Sequence, residues 1–505
     1  MKTTPERYAC WASFRGFLLL NAWLTQRSWR ETVSRLPRLR LTLLCSLLAC
    51  GIFAVAEPQD TQKQTLDRQF QAAVAQYNAG QFAQAASQLE DLLPHVPNNF
   101  EVEELLGLTY SALSQTTKAI QHLEAAVRLK PDSAPARTNL AAGLSHAGAT
   151  ERAGEQFRKA LELAPRDYTA NHNLGEFYIQ SGKIAEARPL LEHAQRINPS
   201  AYDNGYDLAM ADLLTGHLSE GRQLVQSLLR IKNTGELHNL LAQIEEKDGQ
   251  FVAAANEFGT AAHMDPSEDN LFDWGSELLL HRTYEPAIDV FRQATRLYPN
   301  SPRLQIGLGM TLYSRGLYEE AVKALLTASD LNPSDPRCYL FLSKAYDSSP
   351  KQAEDVIQRF QRYAELEPNN ALAQYYYAMS LWKGKRAEGS GLDLQAVESL
   401  LKKSIALNEK LPEAHVQLGN LYADQHEYAK SIPEYERALE LNPNLPDAHY
   451  RLGTDYVHVG QKDRAQAEFD IYQKQRAQHL AEVDKERAEV RQFVISAKAA
   501  PSTKP

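Results

Sequence analysis

Apolar residues recur along this chain at helical spacing, in short runs that stop and restart about every 34 residues. Residues 302–335 show the unit. Leu304, Leu308, Met310 and Leu312 fall on one side of a first amphipathic helix, and Gly316 breaks it. Tyr318, Ala321, Val322, Leu325 and Ala328 give a second helix its apolar face, and Pro333 stops it because proline cannot extend a helix interior. Gly309 and Ala321 put one small residue on each helix, which predicts close approach of the two backbones. Neither helix hides its apolar face alone, so the unit needs neighbours.

The neighbours are present. Steps of 33 or 34 residues back from Gly309 land on Gly275, Ala242, Ala209, Gly175, Ala141, Gly107 and Ala73. Twelve residues after each comes Ala287, Ala254, Gly221, Ala187, Ala153, Ala119 and Ala85, then a bulky apolar residue four later, such as Phe291, Phe258 or Leu191. Forward, Ser343, Ala378, Gly419 and Gly453 continue the series, with Pro368 and Pro443 as stops.

This spacing resembles the tetratricopeptide repeat family, whose unit is a helix–turn–helix of about 34 residues. The resemblance covers residues 66–479, about twelve units. It implies an all-α fold: an α-solenoid wound as a right-handed superhelix, its core buried between successive units. First helices would line the concave face, where members of the family commonly bind peptides. The unit from Tyr202 is looser, with Gly221 for alanine and Asn233 for proline, and a softer joint is expected at Asn233-Thr234-Gly235.

Composition narrows the function. No run of 18 or more apolar residues exists, so a polytopic membrane protein is excluded. Net charge is −9, divided as +6 over the first 56 residues and −15 over the rest. An acidic solenoid repels phosphate backbones, so nucleic acid is not an expected partner. Of the four cysteines only Cys338 lies in the repeats, where it reads as a buried structural thiol.

Residues 1–56 read as a signal peptide or N-terminal membrane anchor. Arg27, Arg30, Arg35, Arg38 and Arg40 precede an apolar run from Leu41 to Ala56 that ends Ala54-Val55-Ala56, the pattern of a secretory signal. Leu47-Leu48-Ala49-Cys50-Gly51 resembles a lipoprotein cleavage box, and an uncleaved anchor is the third reading. All three export the chain, to a periplasmic or membrane-tethered site. A polar spacer, 57–65, leads into the repeats.

The tenth unit carries an insertion, WKGKRAEGSGLDLQ at 382–395, expected to form a basic, glycine-loosened loop. Beyond the last unit no proline or glycine interrupts the chain from Lys462 to Lys498, so a long helix, including the extension 480–498, is expected to cap the stack. Residues 499–505 are expected to be disordered.

Catalytic patterns are missing: there is no His-Glu-x-x-His, no phosphate loop and no Gly-x-Ser-x-Gly elbow. The histidines are scattered, with His172, His415 and His449 in similar first-helix neighbourhoods, and no metal or cofactor is expected. What remains is a surface. Near the N-terminus the first helices offer Thr138, Asn139, His172, Asn173, Glu176 and Asp207. Asn139 and Asn173 are 34 apart and resemble two rungs of the asparagine ladder with which the repeats of O-linked N-acetylglucosamine transferases grip peptide backbones. Farther on the same face offers Phe272, Ile306, Met310, Tyr313, Leu340, Phe341, Tyr375, Tyr376 and Trp382, residue types suited to apolar peptide side chains. The alternative is that these pack between neighbouring first helices. The Lys and Asn set of the two-carboxylate clamp, used by chaperone-tail-binding relatives, is absent. The expected function is a non-enzymatic scaffold that binds a protein or peptide outside the cytoplasm. The competing reading is a recruitment subunit of an envelope enzyme complex whose glycosyltransferase or protease is another chain, and self-association through the C-terminal helix is a third.

Overall fold

Every first helix must find a second helix to cover its apolar stripe, and the chain supplies one within a few residues. The computed structural model describes residues 58–348, 352–388 and 393–478. Consecutive antiparallel helix pairs run from Pro58–Asn78 with Phe82–Leu92 to Pro446–His458 with a helix over 462–478, and no strand occurs among the described residues. The chain is an all-α solenoid. Its residues divide at Asn233/Thr234 into two compact units, at a joint that lacks the repeating proline.

The pair Pro302–Arg315 and Tyr318–Leu331 shows the local causes. Ser301 caps the first helix, its hydroxyl accepting from the Leu304 N–H at 3.3 Å. Gly316 ends it at φ 90°, a left-handed conformation that glycine adopts without steric cost. At the equivalent turns Ser114, Arg282 and His426 take the same conformation at φ 58°, 59° and 61°, which is why no glycine marks those turns in the sequence.

The small residue of the first helix also makes room for a side chain of the second. A Cβ at Gly309 would fall 2.5 Å from Leu325 Cγ, so the glycine makes room for the bulky residue of the second helix. Gly107 with Leu123, Gly175 with Leu191, Gly275 with Phe291, Gly419 with Tyr435 and Gly453 with Phe469 repeat this fit. Leu123, Leu191, Phe291, Leu325 and Tyr435 are all fully buried there.

Three expectations about boundaries change. The first helix begins at Pro58 and takes in most of the stretch read as a polar spacer, since proline is tolerated in a first turn and nothing after it breaks the helix. The insertion is not a loop from Trp382 onward: the helix Ala371–Glu388 takes in its first seven residues, and Leu394–Leu407 starts behind an Asp393 cap. Gly384 does not loosen this helix. It is buried where a Cβ would fall 2.8 Å from both Ile357 Cδ1 and the Tyr346 hydroxyl, so glycine is needed for close packing. Pro189 and Pro433 lie inside the helices Ile184–Ile197 and Tyr428–Leu441. The leader 1–56, the helix extension 480–498 and the tail 499–505 lie outside the described residues.

Cys338 is fully buried and donates to the Asp335 carbonyl oxygen at 3.0 Å. Burial, with the Asp335 charge beside it, pushes the thiol up to about 12, as an inert structural cysteine requires.

Candidate partner-binding face

The first helices bring together some of the apolar residues expected to form a groove and bury others. Phe272, Ile306, Tyr376 and Trp382 are core. Phe272 packs edge-on to Phe291 at 6.3 Å, with the Arg303 guanidinium 5.2 Å from its ring centre on the other contact. Tyr376 lies against Phe360 at 5.7 Å, and Trp382 sits among Leu401, Leu418 and Leu421. The reason is geometric: these side chains point at the neighbouring helix, and packing there removes them from solvent.

The rest stay at the surface in part. Met310, Tyr313, Phe341 and Tyr375 are half-buried against one core cluster, and Tyr313 meets Phe341 of the next first helix edge-to-face at 6.4 Å. Leu340 is 36% exposed, and Leu372, which sequence reasoning passed over, is 42% exposed. Lys344 stands over the Phe341 ring at 5.6 Å, and Lys383 is paired with Asp347. Apolar surface on three consecutive first helices is therefore rimmed by charge.

The asparagine ladder is altered. Asn139 donates its amide to Glu104 Oε1 at 3.1 Å, across to the preceding first helix, and Asn173 is half-buried. Thr138 is buried with its hydroxyl donating to the Ala134 carbonyl oxygen. Around Tyr168 the same face is acidic: burial first, then Asp203, Asp207 and Glu176, push the phenol up to about 12. His172 stacks on Tyr168 at 5.5 Å and contacts Asn204 Oδ1 at 3.1 Å.

Two polar patterns were missed by composition and single motifs. His122 with Glu103, His238 with Glu257, His415 with Glu434 and His449 with Glu468 pair at 2.5–2.7 Å, always 19 residues apart. Each joins the fourth residue of a first helix to the seventh of its second helix. Spacing was the available signal, and it is legible only once the two helices are registered. Between successive second helices, Lys118–Glu90, Arg152–Glu124, Arg292–Glu320 and Arg464–Glu436 form a second recurring row. No group of three or more His, Cys, Asp or Glu suited to a metal occurs among the described residues, and no described helix is long and apolar enough to cross a membrane.

Known proteins share the pattern. Models of the tetratricopeptide repeat match residues 70–134, 144–202, 178–244 and 278–345, and a TPR repeat model matches 419–457; together they span more than half of the chain. The TPR repeat-containing protein YpiA of Bacillus subtilis (strain 168) is 29% identical over 149 residues, 30% of this chain and 33% of that one. Interferon-induced protein with tetratricopeptide repeats 3 of Mus musculus is 24% identical over 214 residues, 38% of this chain and 53% of that one. The chain thus spans about a third to a half of these relatives' length. Among solved structures, yeast Tom70 aligns with 87% of this chain and 96% of its own at 15% identity and a TM-score of 0.34. With its repeat positions, helix pairs and family matches in agreement, the chain belongs to the tetratricopeptide repeat family.

Proposed function

We propose that this chain is a non-enzymatic scaffold that holds a protein or peptide partner along its first helices, outside the cytoplasm. One observation carries the binding half: exposed Leu340 and Leu372 beside half-buried Met310, Tyr313, Phe341 and Tyr375, a run of apolar surface across three successive first helices. It is suited to the apolar side chains of an extended or helical segment. The basic flank, apolar run and Ala54-Val55-Ala56 ending support the location.

A photo-crosslinking residue placed at Leu340 or at Leu372 in the full chain, in its native cells, tests the face. A discrete product from both positions, absent when the probe is at Leu297 (52% exposed on a second helix), is the expected result. Identical products from Leu297, or none from the first helices, would sink the assignment. Mass spectrometry of the mature N-terminus tests location separately, with Glu57 or a lipidated Cys50 marking export and an intact, membrane-extracted leader marking an anchor.

A further inference from the structure

Two of the four histidine–carboxylate pairs occupy neighbouring repeats at equivalent positions, and their rings face different surroundings. His415 and His449 are 34 residues apart and both buried. In each, Nδ1 meets a carboxylate of the second helix: Glu434 Oε2 at 2.7 Å and Glu468 Oε2 at 2.5 Å. The far side of the ring differs. His415 Nε2 is buried without a hydrogen-bond partner among the described residues. His449 Nε2 lies 3.0 Å from the Pro443 carbonyl oxygen, in the turn that leads into its own helix.

A neutral imidazole has one N–H and one bare nitrogen. At His415 that inventory fits: Nδ1–H donates to Glu434, and the bare Nε2 lies where an N–H would be left buried and unpaired. At His449 it does not fit, because carboxylate and carbonyl are both acceptors. Beside an ionised Glu468, a singly protonated ring would aim a nitrogen lone pair at an oxygen lone pair on one side or the other. The carbonyl has room for the second donor, since Pro443 O accepts from Gln475 Nε2 at 2.7 Å and has two lone pairs. Glu468 is the ionisable group in contact with the ring from the second helix, and Gln475, which shares the carbonyl, is uncharged.

We infer that His449 is held in the folded chain with a proton on both ring nitrogens, forming a protonation-dependent clasp that ties both helices of the last pair to the turn before them. The added proton sits on Nε2, and the carboxylate of Glu468 balances the ring's charge. His415, with the same carboxylate spacing and no second acceptor, holds one proton and has no such clasp. Loss of the second proton leaves His449 Nε2 and Pro443 O as two facing acceptors, which loosens the turn 442–445 from the last pair.

The test is long-range proton–nitrogen NMR of the full, deuterated chain labelled in its histidine rings. Signals are assigned with His449→Gln and His415→Gln. The expected spectrum near neutral pH shows two protonated nitrogens for His449 and one protonated, one bare for His415. Glu468→Gln, checked for folding by circular dichroism, is expected to convert His449 to the His415 pattern. A bare nitrogen on His449 in the folded wild-type chain at neutral pH overturns the assignment, whatever the variants do. So does a doubly protonated His449 that Glu468→Gln leaves unchanged.

Discussion

Tyr456, on the first helix of the last pair, donates its hydroxyl to Glu436 Oε1 on the preceding second helix at 2.5 Å. Arg464, from the second helix of the same pair as Tyr456, reaches the same oxygen at 2.6 Å and stands 4.2 Å over the tyrosine ring. Tyr110 repeats the arrangement with Glu90 and Lys118, and Tyr422 repeats part of it, bonded to Glu398 at 2.9 Å with Lys430 5.3 Å over the ring. Three side chains from three helices thus lock one repeat to the next, which the apolar stripe alone does not do.

Removing one member measures the lock. Tyr456→Phe keeps the ring and loses the hydrogen bond to a partly exposed carboxylate, so it is expected to cost about 1 kcal/mol. Arg464→Met is expected to cost a similar amount or less. The double variant should cost less than the two single changes together, since the groups share Glu436. Urea unfolding followed by helical circular dichroism gives all three; strict additivity would show that the triad is a coincidence of placement.

The glycine of each first helix predicts a steric effect with a known partner. Gly309→Ala puts a methyl group where Leu325 Cγ is 2.5 Å away, so Leu325 must move, and overpacking of this kind costs about 1–3 kcal/mol. Leu325→Ala alone leaves a cavity and costs about 2–5 kcal/mol. In combination the added methyl occupies part of that cavity, so the double variant should be more stable than the sum predicts. A thermal unfolding cycle decides it.

Acid should weaken the C-terminal unit through Asp330. Burial opposes its ionisation, but Arg359 and Arg362, at 3.0 and 2.9 Å, outweigh burial and hold the carboxyl below its ordinary range. A carboxyl depressed on folding contributes stability above its unfolded value and loses it as pH falls through the folded one. The contribution should therefore be complete at neutral pH and fade below about pH 4. Asp330→Asn is expected to flatten the fall in urea midpoint between pH 5 and 3 (both rough bounds). An unchanged slope would place the acid sensitivity elsewhere.

Burial separates core from surface among the groove residues. Tyr376→Ala removes a ring packed on Phe360 and should destabilise by about 3–5 kcal/mol. Leu340→Ala, at an exposed position, should stay within about 0.5 kcal/mol. Loss of partner capture in Leu340→Ala with unchanged unfolding is the informative outcome, because the same loss in Tyr376→Ala would reflect a damaged fold.

What the sequence determined by itself was the repeat: the helix pairs, their phase and the burial of Cys338. Those follow from residues close in the chain, where apolar periodicity, turn glycines and stop prolines act within one helix or one turn. Only the tertiary structure decided which residues of a first helix face the next one. Tyr376 and Trp382 went to the core while Leu340 and Leu372 stayed outside, and Gly384 proved to be a packing contact with Tyr346 and Ile357. The 19-residue histidine–carboxylate pairs and the Tyr456–Glu436–Arg464 lock belong to the same class. Each joins positions on different helices, and their meeting depends on how those helices are registered against one another, a relation that no single helical period contains.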